Sequence, residues 1–434
     1  MKLNPFYPND PIPPSLFVGR AKEIGAIKRA LSQTIGGRPE SVLVIGTRGS
    51  GKTSLVQYAS SLDEASALTE AEIGSKVVSV LVRCGGMKSI AEFCSACIDR
   101  IKGELETKDK IWSAAKGIFD ELEIDTGYIK LRAKDPSANP TTEFPKTLKK
   151  LWTNKLSAKH GALQLLIDET DDISTIPEFP GFIKNLIETV KERPVANIQL
   201  VVTIVDEKLS TVVSNHRSFP RVFHVATLGP LSELELEAVV TKCLSDTAPR
   251  VAIGPDALRF LKVFTAGIPN YLQQFCHEAF DVDTDNSIDV MDVLNGAHGT
   301  NDVRGSFDIL WEKHFKQMYA EDIKSPYKRK ILHTLALMED PATNGQISAL
   351  YQEIFSEKPS SNLTVFLTNM VQDGAIQRFG KASPYMYQIA DPLLRVLLRF
   401  YPGTNQQIYE RIQNYMIKDL VPDHASLDEE VASE

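Results

Sequence analysis

A short apolar run, Val42-Leu43-Val44-Ile45, leads without a break into Gly46-Thr47-Arg48-Gly49-Ser50-Gly51-Lys52-Thr53-Ser54. No other stretch constrains the chain as strongly. Three glycines in six positions allow a turn too tight for side chains, with main-chain N–H groups pointing inward. The segment fits G-x-x-x-x-G-K-[ST] in full, with a strand expected before it and a helix after it. The helix would turn its positive end toward an anion. Lys52 can reach a terminal phosphate, and the Thr53 hydroxyl can hold Mg²⁺. Gly46 through Ser54 are therefore the expected nucleotide-binding residues, with ATP and Mg²⁺ as cofactors.

A phosphate loop of this kind needs an acidic partner. Leu163-Gln164-Leu165-Leu166-Ile167-Asp168-Glu169 is an apolar strand ending in two carboxylates. Asp168 is placed as a metal-orienting residue beside Thr53, and Glu169 as the group that polarises the attacking water. Thr170-Asp171-Asp172 extend the acidic run, and the two aspartates read as a solvated turn.

The remaining organisation follows from period and composition. The strand candidates Val42–Ile45, Val77–Val82, Leu163–Ile167, Gln199–Val205 and Val222–Leu228 are short and almost wholly apolar. Strands buried on both faces of a parallel sheet look like this. Residues 1–15 are proline-rich and expected to be an extended arm. Residues 16–230 form the α/β core and 231–302 a helical unit. Residues 303–402 begin with a long amphipathic helix, Val303 to Tyr319. Three shorter helices follow, Tyr327–Leu337, Ile347–Phe355 and Asn362–Val371, then strands Ile376–Phe379 and Tyr385–Ile389. Three helices and a hairpin predict a winged helix-turn-helix. Residues 403–434 are expected to be a helix and a disordered acidic tail.

These stretches resemble AAA+ and STAND-type ATPases, most closely the archaeal and bacterial ATPases related to replication initiators. NPFYPNDPIPPSLFVGRAKEI, GTRGSGKTS, LLIDETDDI and AGIPNYLQQF carry the likeness. The resemblance implies a five-stranded parallel P-loop sheet with a helical lid. It also implies an adenine pocket lined by Phe17, Val18, Gly19 and Arg20 and by Gly267-Ile268-Pro269. Read from residues alone, Gly-x-Pro is a helix start. Thr203, with Asp206 second, is the candidate polar sensor on its strand. Arg221, with Arg217 second, is the candidate arginine finger, and the alternative for both is a surface arginine. Asn270 stands where many members carry a lid arginine, which favours a slow switch over a ring motor.

Weaker signals have bland alternatives. Cys94 and Cys97 form a C-x-x-C inside a helical pattern and read as buried small residues. Asp281 to Asp292 has the look of a calcium loop, but Asn286 and Asp292 replace the expected glycine and glutamate. A loop with Asp289 capping the next helix explains it as well. Residues 128–160 hold eight Lys/Arg against two Asp/Glu. They could track phosphates, but an amphipathic helix burying Leu148, Leu151, Trp152 and Leu156 is favoured. The expected recognition helix, Ser361 to Asp373, has no Lys or Arg. Asn362, Thr368 and Asn369 could read bases, with Lys358, Arg378 and Lys381 on phosphates; protein docking is an equal reading.

Bulk properties set the outer limits. The chain has 434 residues, net charge −8 and pI about 5.6, so no global basic field attracts nucleic acid. Five sparse cysteines read as reduced cytosolic thiols, and no apolar run reaches membrane-spanning length. The expected function is a Mg²⁺-dependent ATPase switch that assembles with a protein or duplex DNA partner. Nucleotide-dependent assembly with copies of itself is a further expectation. The alternatives are a DNA-binding loader or regulator and an ATP-binding scaffold that does not hydrolyse.

Overall fold

The computed structural model describes residues 3–61, 77–108, 140–300, 303–380 and 382–420. The chain divides into two compact units: Asn9–Lys242, and Met1–Pro8 together with Cys243–Glu434.

The phosphate-loop unit is a five-stranded sheet in the order β2-β3-β4-β1-β5, parallel throughout. Its strands are β1 (Val42–Gly46), β2 (Val77–Arg83), β3 (Ala162–Asp168), β4 (Ile198–Val205) and β5 (His224–Leu228). All five predicted strands are present, each within two residues of its expected bounds. β1, β3 and β4 are buried along their whole length, as continuous apolar runs require. One face carries α1 (Ala21–Ile35) and α2 (Lys52–Ser60). The other carries α3 (Ile90–Lys108), α4 (Pro140–Leu151) and α5 (Phe179–Lys191), joined by an edge-on cluster of Phe93, Phe144, Phe179 and Phe182. α6 (Asp206–Asn215) follows β4, and α7 (Glu233–Leu244) follows β5.

Three polar side chains, Ser79 on β2, Gln164 on β3 and Gln199 on β4, satisfy one another across the sheet. Ser79 Oγ donates to Gln164 Oε1 (3.0 Å), Gln164 Nε2 to Gln199 Oε1 (2.7 Å), and Gln199 Nε2 to Ile27 O on α1 (3.3 Å). This ladder crosses β2, β3 and β4 in register. Buried amides persist in a core only with such partners.

Part of the basic stretch lies outside the described residues. From Pro140 on, Phe144, Leu148, Leu151, Trp152 and Leu156 are buried, and Lys149 donates to the carbonyls of Thr189 and Glu192. That is the amphipathic-helix alternative. Cys94 and Cys97 are buried, and burial pushes both thiols up, as small core residues behave.

In the other unit, α8 (Pro255–Thr265), α9 (Pro269–Val282) and α10 (Val290–His298) pack with a two-stranded parallel ribbon, β6 (Ala252–Ile253) and β7 (Ser287–Ile288). Phe264, Phe275 and Phe307 form its aromatic centre. The first residues of the chain lie along α9. Asn4 donates to His277 O and Asp281, Phe6 is buried edge-on to Phe280, and Pro8 O accepts from Asn270. Asp289 caps α10 in a reciprocal capping box with Asp292, so the aspartate-rich segment is an ordinary helix entry.

The long helix predicted from Val303 to Tyr319 is broken. It runs as α11 (Ser306–His314) and α12 (Lys316–Glu321), because Phe315 leaves helical geometry at φ −124°. Phe307, Leu310, Trp311 and Phe315 are buried as the stripe required. Beyond them come α13 (Pro326–Leu337), β8 (Ala342–Thr343), α14 (Asn344–Phe355), α15 (Leu363–Gln372) and the hairpin β9 (Ile376–Phe379) and β10 (Met386–Ile389). β8 completes a small antiparallel sheet, β8-β10-β9. α16 (Pro392–Phe400) and α17 (Gln406–Leu420) follow. The predicted acidic tail lies outside the described residues. Among those described, no helix is long and apolar enough to cross a membrane.

Candidate functional site

The carboxyl end of a parallel sheet is where loops can converge on a ligand. Here β1 ends in the phosphate loop and β3 in the acidic pair, with β4 between them. Gly46 must be glycine: a Cβ there would come within 2.6 Å of Ser50 Oγ and 3.1 Å of the Leu228 backbone oxygen. Gly51 sits in the left-handed region at φ 91° and caps α2 directly, where another residue would be strained. The loop therefore delivers Lys52 at the first position of the helix. Its Nζ donates to Gly46 O and Thr47 O, both at 2.8 Å. Burial draws the ammonium pKa down, while Asp171, Asp168, Glu207 and Asp206 hold it up.

Asp168 is only 1 % exposed. Its Oδ1 accepts from Thr203 Oγ1 at 2.7 Å, while Oδ2 is buried and has no hydrogen-bond partner. Such an atom costs about 1–3 kcal/mol unless something else reaches it. A carboxylate oxygen with a hydroxyl-bearing Thr53 at a helix start is a hard-oxygen donor set, and these residues fit Mg²⁺. Ser50 Oγ is a second buried oxygen without a partner. Thr203, read as a sensor, thus orients Asp168. Thr170 Oγ1 in turn donates to Thr203 O.

Glu169 is exposed and takes a left-handed backbone, φ 56°. For a glutamate this is strained by about 1 kcal/mol. Its carboxylate lies over Gly85, where a Cβ would meet Oε2 at 2.6 Å. Asp171 and Asp172 are more than a solvated turn. Asp171 lies 3.7 Å from Arg48 of the phosphate loop, and Asp172 Oδ2 accepts from Gly86 N–H at 3.3 Å. The loops after β1, β2 and β3 are therefore stapled together by charge and main chain.

The other predicted residues divide by position. Phe17 stacks on Tyr58 at 4.9 Å. Val18 is half-buried. Arg20 is 6 % exposed and reaches Ser50 O through its guanidinium at 3.2 Å. Ser54 Oγ accepts the Ile12 N–H. Asp206 opens α6, its carboxyl pKa raised by burial and by Glu207. Arg217 and Arg221 are exposed. Pro269 belongs to the other unit, at the first position of α9 after Gly267 at φ 74°; Gly-Ile-Pro is a helix start there.

Sequence reasoning missed Gly85-Gly86 and Glu235. Glu235 had a local signal, Ser232-x-x-Glu235, and it forms that capping box: Oε2 accepts from Ser232 N (3.0 Å) and Oγ (2.8 Å).

A family model for the AAA ATPase domain matches residues 16–178. No curated protein matches the chain. Among solved structures, the Walker-type ATPase of Pyrococcus abyssi is similar at 14% identity and TM-score 0.52, covering 88% of this chain and 96% of that one. The Aeropyrum pernix ORC2 protein, in ADPNP-ADP complexes, is similar at 16% identity and TM-score 0.55, covering 92% and 96%. The phosphate loop and the acidic strand end both lie within residues 16–178, the stretch that matches the AAA ATPase domain, and the chain as a whole shares the fold of the two solved structures.

Proposed function

We propose that the chain binds ATP with Mg²⁺ and hydrolyses it as a slow nucleotide-controlled switch. The observation that carries this reading is the buried, unpaired Oδ2 of Asp168 at the strand end beside the phosphate loop. Thr53 and Asp168 would hold the metal, which when bound supplies charge neutralisation on the phosphates. Lys52 exchanges its two carbonyl partners for phosphate oxygens. Glu169, exposed and backed by the Gly85 main chain, takes the proton of the attacking water. Asp206 and Thr203 complete the polar end of β4. Val18 and Arg20 remain the proposed adenine-side residues of the phosphate-loop unit, and exposed Arg221 the proposed finger toward a neighbouring copy.

Residues 231–302 are read as the lid. Residues 303–402 are read as the linker and winged helix-turn-helix, on the order of α13, β8, α14, α15 and the β9–β10 hairpin. A specific feature bears on the partner. α15 exposes Val365 (57%), and Phe379 pairs with Met386 across the hairpin, both partly exposed. Apolar groups on the helix and the wing favour a protein partner over duplex DNA. Arg378, stacked over Tyr385 at 4.6 Å, is the basic group a duplex reading would use.

Calorimetric titration of the full chain with a non-hydrolysable ATP analogue, with and without Mg²⁺, tests the reading. Lys52→Ala is expected to lower affinity about 100-fold through loss of charge-assisted bonds to phosphate. Unchanged affinity in that variant rules the reading out.

A further inference from the structure

Arg20 makes two contacts of different kinds, and they join parts of the phosphate-loop unit far apart in sequence. Its guanidinium donates to the Ser50 carbonyl. Its backbone N–H donates to Glu235 Oε1 at 2.8 Å. The other Glu235 oxygen is held by Ser232, so the carboxylate is fixed on the first turn of α7. To make these contacts Arg20 adopts the left-handed conformation, φ 54°, ψ 30°. Gly19 precedes it at φ 78°, and a Cβ on Gly19 would stand 3.2 Å from Glu235. Two successive left-handed residues thus wrap one carboxylate, at a conformational cost of about 1 kcal/mol for the arginine. Such strain persists only where surrounding contacts over-determine it.

The Ser50 contact has a directional consequence. The peptide between Ser50 and Gly51 is planar, so its C=O and N–H point opposite ways. Pinning the Ser50 oxygen on Arg20 aims the Gly51 N–H away from Arg20. That N–H belongs to the group of loop donors that cradle an anion. When it is taken up, the peptide polarises and Ser50 O becomes a stronger acceptor for Arg20. Glu235 feels the change through the Arg20 main chain. α7 is also the helix within which the chain passes from one unit to the other, at Lys242–Cys243.

We propose that Arg20 is a positioning residue that relays occupancy of the phosphate loop to α7 through Glu235; this deepens the ATPase reading and rests on it. Binding at the loop then stiffens the start of α7, and by linkage a clamped α7 tightens nucleotide binding.

Hydrogen exchange on the full chain tests this, with Mg-ADP, with a non-hydrolysable ATP analogue and Mg²⁺, and without nucleotide. In the wild type, nucleotide is expected to slow exchange at amides 47–53 and 233–240 together. Arg20→Gly keeps the left-handed backbone without strain and removes the whole side chain, guanidinium included. With nucleotide raised until slowing at 47–53 matches that of the wild type, it should cut the nucleotide-dependent change at 233–240 at least about fivefold. Arg20→Lys, retaining one donor, should restore part of it. Glu235→Ala should act like Arg20→Gly, and the double variant should do no more than either alone. The relay is overturned if Arg20→Gly retains the full change at 233–240, or if it speeds exchange there equally with and without nucleotide. Independent, additive effects of the two substitutions overturn it as well. Wild-type amides 47–53 indifferent to nucleotide sink the ATPase reading itself, a separate outcome visible in the same data.

Discussion

Two buried polar groups, one in each unit, are treated in opposite ways. Asp168 uses one oxygen on Thr203 and leaves the other with nothing. His333, on α13, uses both ring nitrogens, Nδ1 with Leu398 O at 3.0 Å and Nε2 with the Tyr319 hydroxyl at 3.2 Å. The imidazole is fully buried, and that burial pushes its pKa down to about 4. One region stores an unmet bond where a ligand can collect it. The other closes both of its bonds within the fold. Stability and reception are thus separable properties of buried polar groups, told apart by what remains unpaired.

The contrast predicts effects of different kinds. The largest falls on the receptive side. Glu169→Gln should lower ATP turnover about 1000-fold while nucleotide affinity stays within about threefold, as removal of a general base does. Single-turnover hydrolysis measures it, and an unchanged rate would take Glu169 out of the chemistry.

Next is the closed side. His333 is neutral in the fold, and its pKa lies below the ordinary 6.5. Between those values the unfolded chain binds the extra proton, so stability is complete above pH 6.5 and falls as pH drops toward 4. The loss should approach about 3 kcal/mol. Urea melts at about pH 7.5 and about pH 4.5, on either side of most of that window, would read it. A pH slope undiminished in His333→Gln would assign the effect elsewhere.

The smallest concerns the bond that the Asp168 carboxylate accepts from Thr203. Thr203→Val should raise the Mg²⁺ concentration needed for analogue binding about tenfold, with Thr203→Ser close to wild type. If the Thr203→Val variant binds Mg²⁺ as the wild type does, the threonine does not orient the carboxylate.

Much of this was legible in the chain. The five strands stood out because strands buried on both faces need unbroken apolar runs. The phosphate loop stood out because glycine, lysine and hydroxyl at fixed spacing meet separate demands of an anion. The break at Phe315 was not legible, since the apolar stripe continues through it and only the backbone angle changes. β8 was hidden because two residues carry no period. The Ser232–Glu235 capping box was local and readable, whereas its link to Arg20 was not. Nothing at position 20 announces a partner near position 235, and only the tertiary fold brings them together. The partial exposure of Phe379 and Met386 has the same character, for two short strands around a turn mark a hairpin without saying which side chains stay open.

The ladder of Ser79, Gln164 and Gln199 carries a lesson for anyone altering this sheet. A slide of β3 by a single residue would swing Gln164 to the opposite face and strand two amide groups among aliphatic side chains. Misaligned pairings are therefore heavily penalised, and the tips of β2 and β3, Arg83 and Asp168, must finish level. Redesign of these strands has to replace the three side chains as a set, because removing one abandons the next.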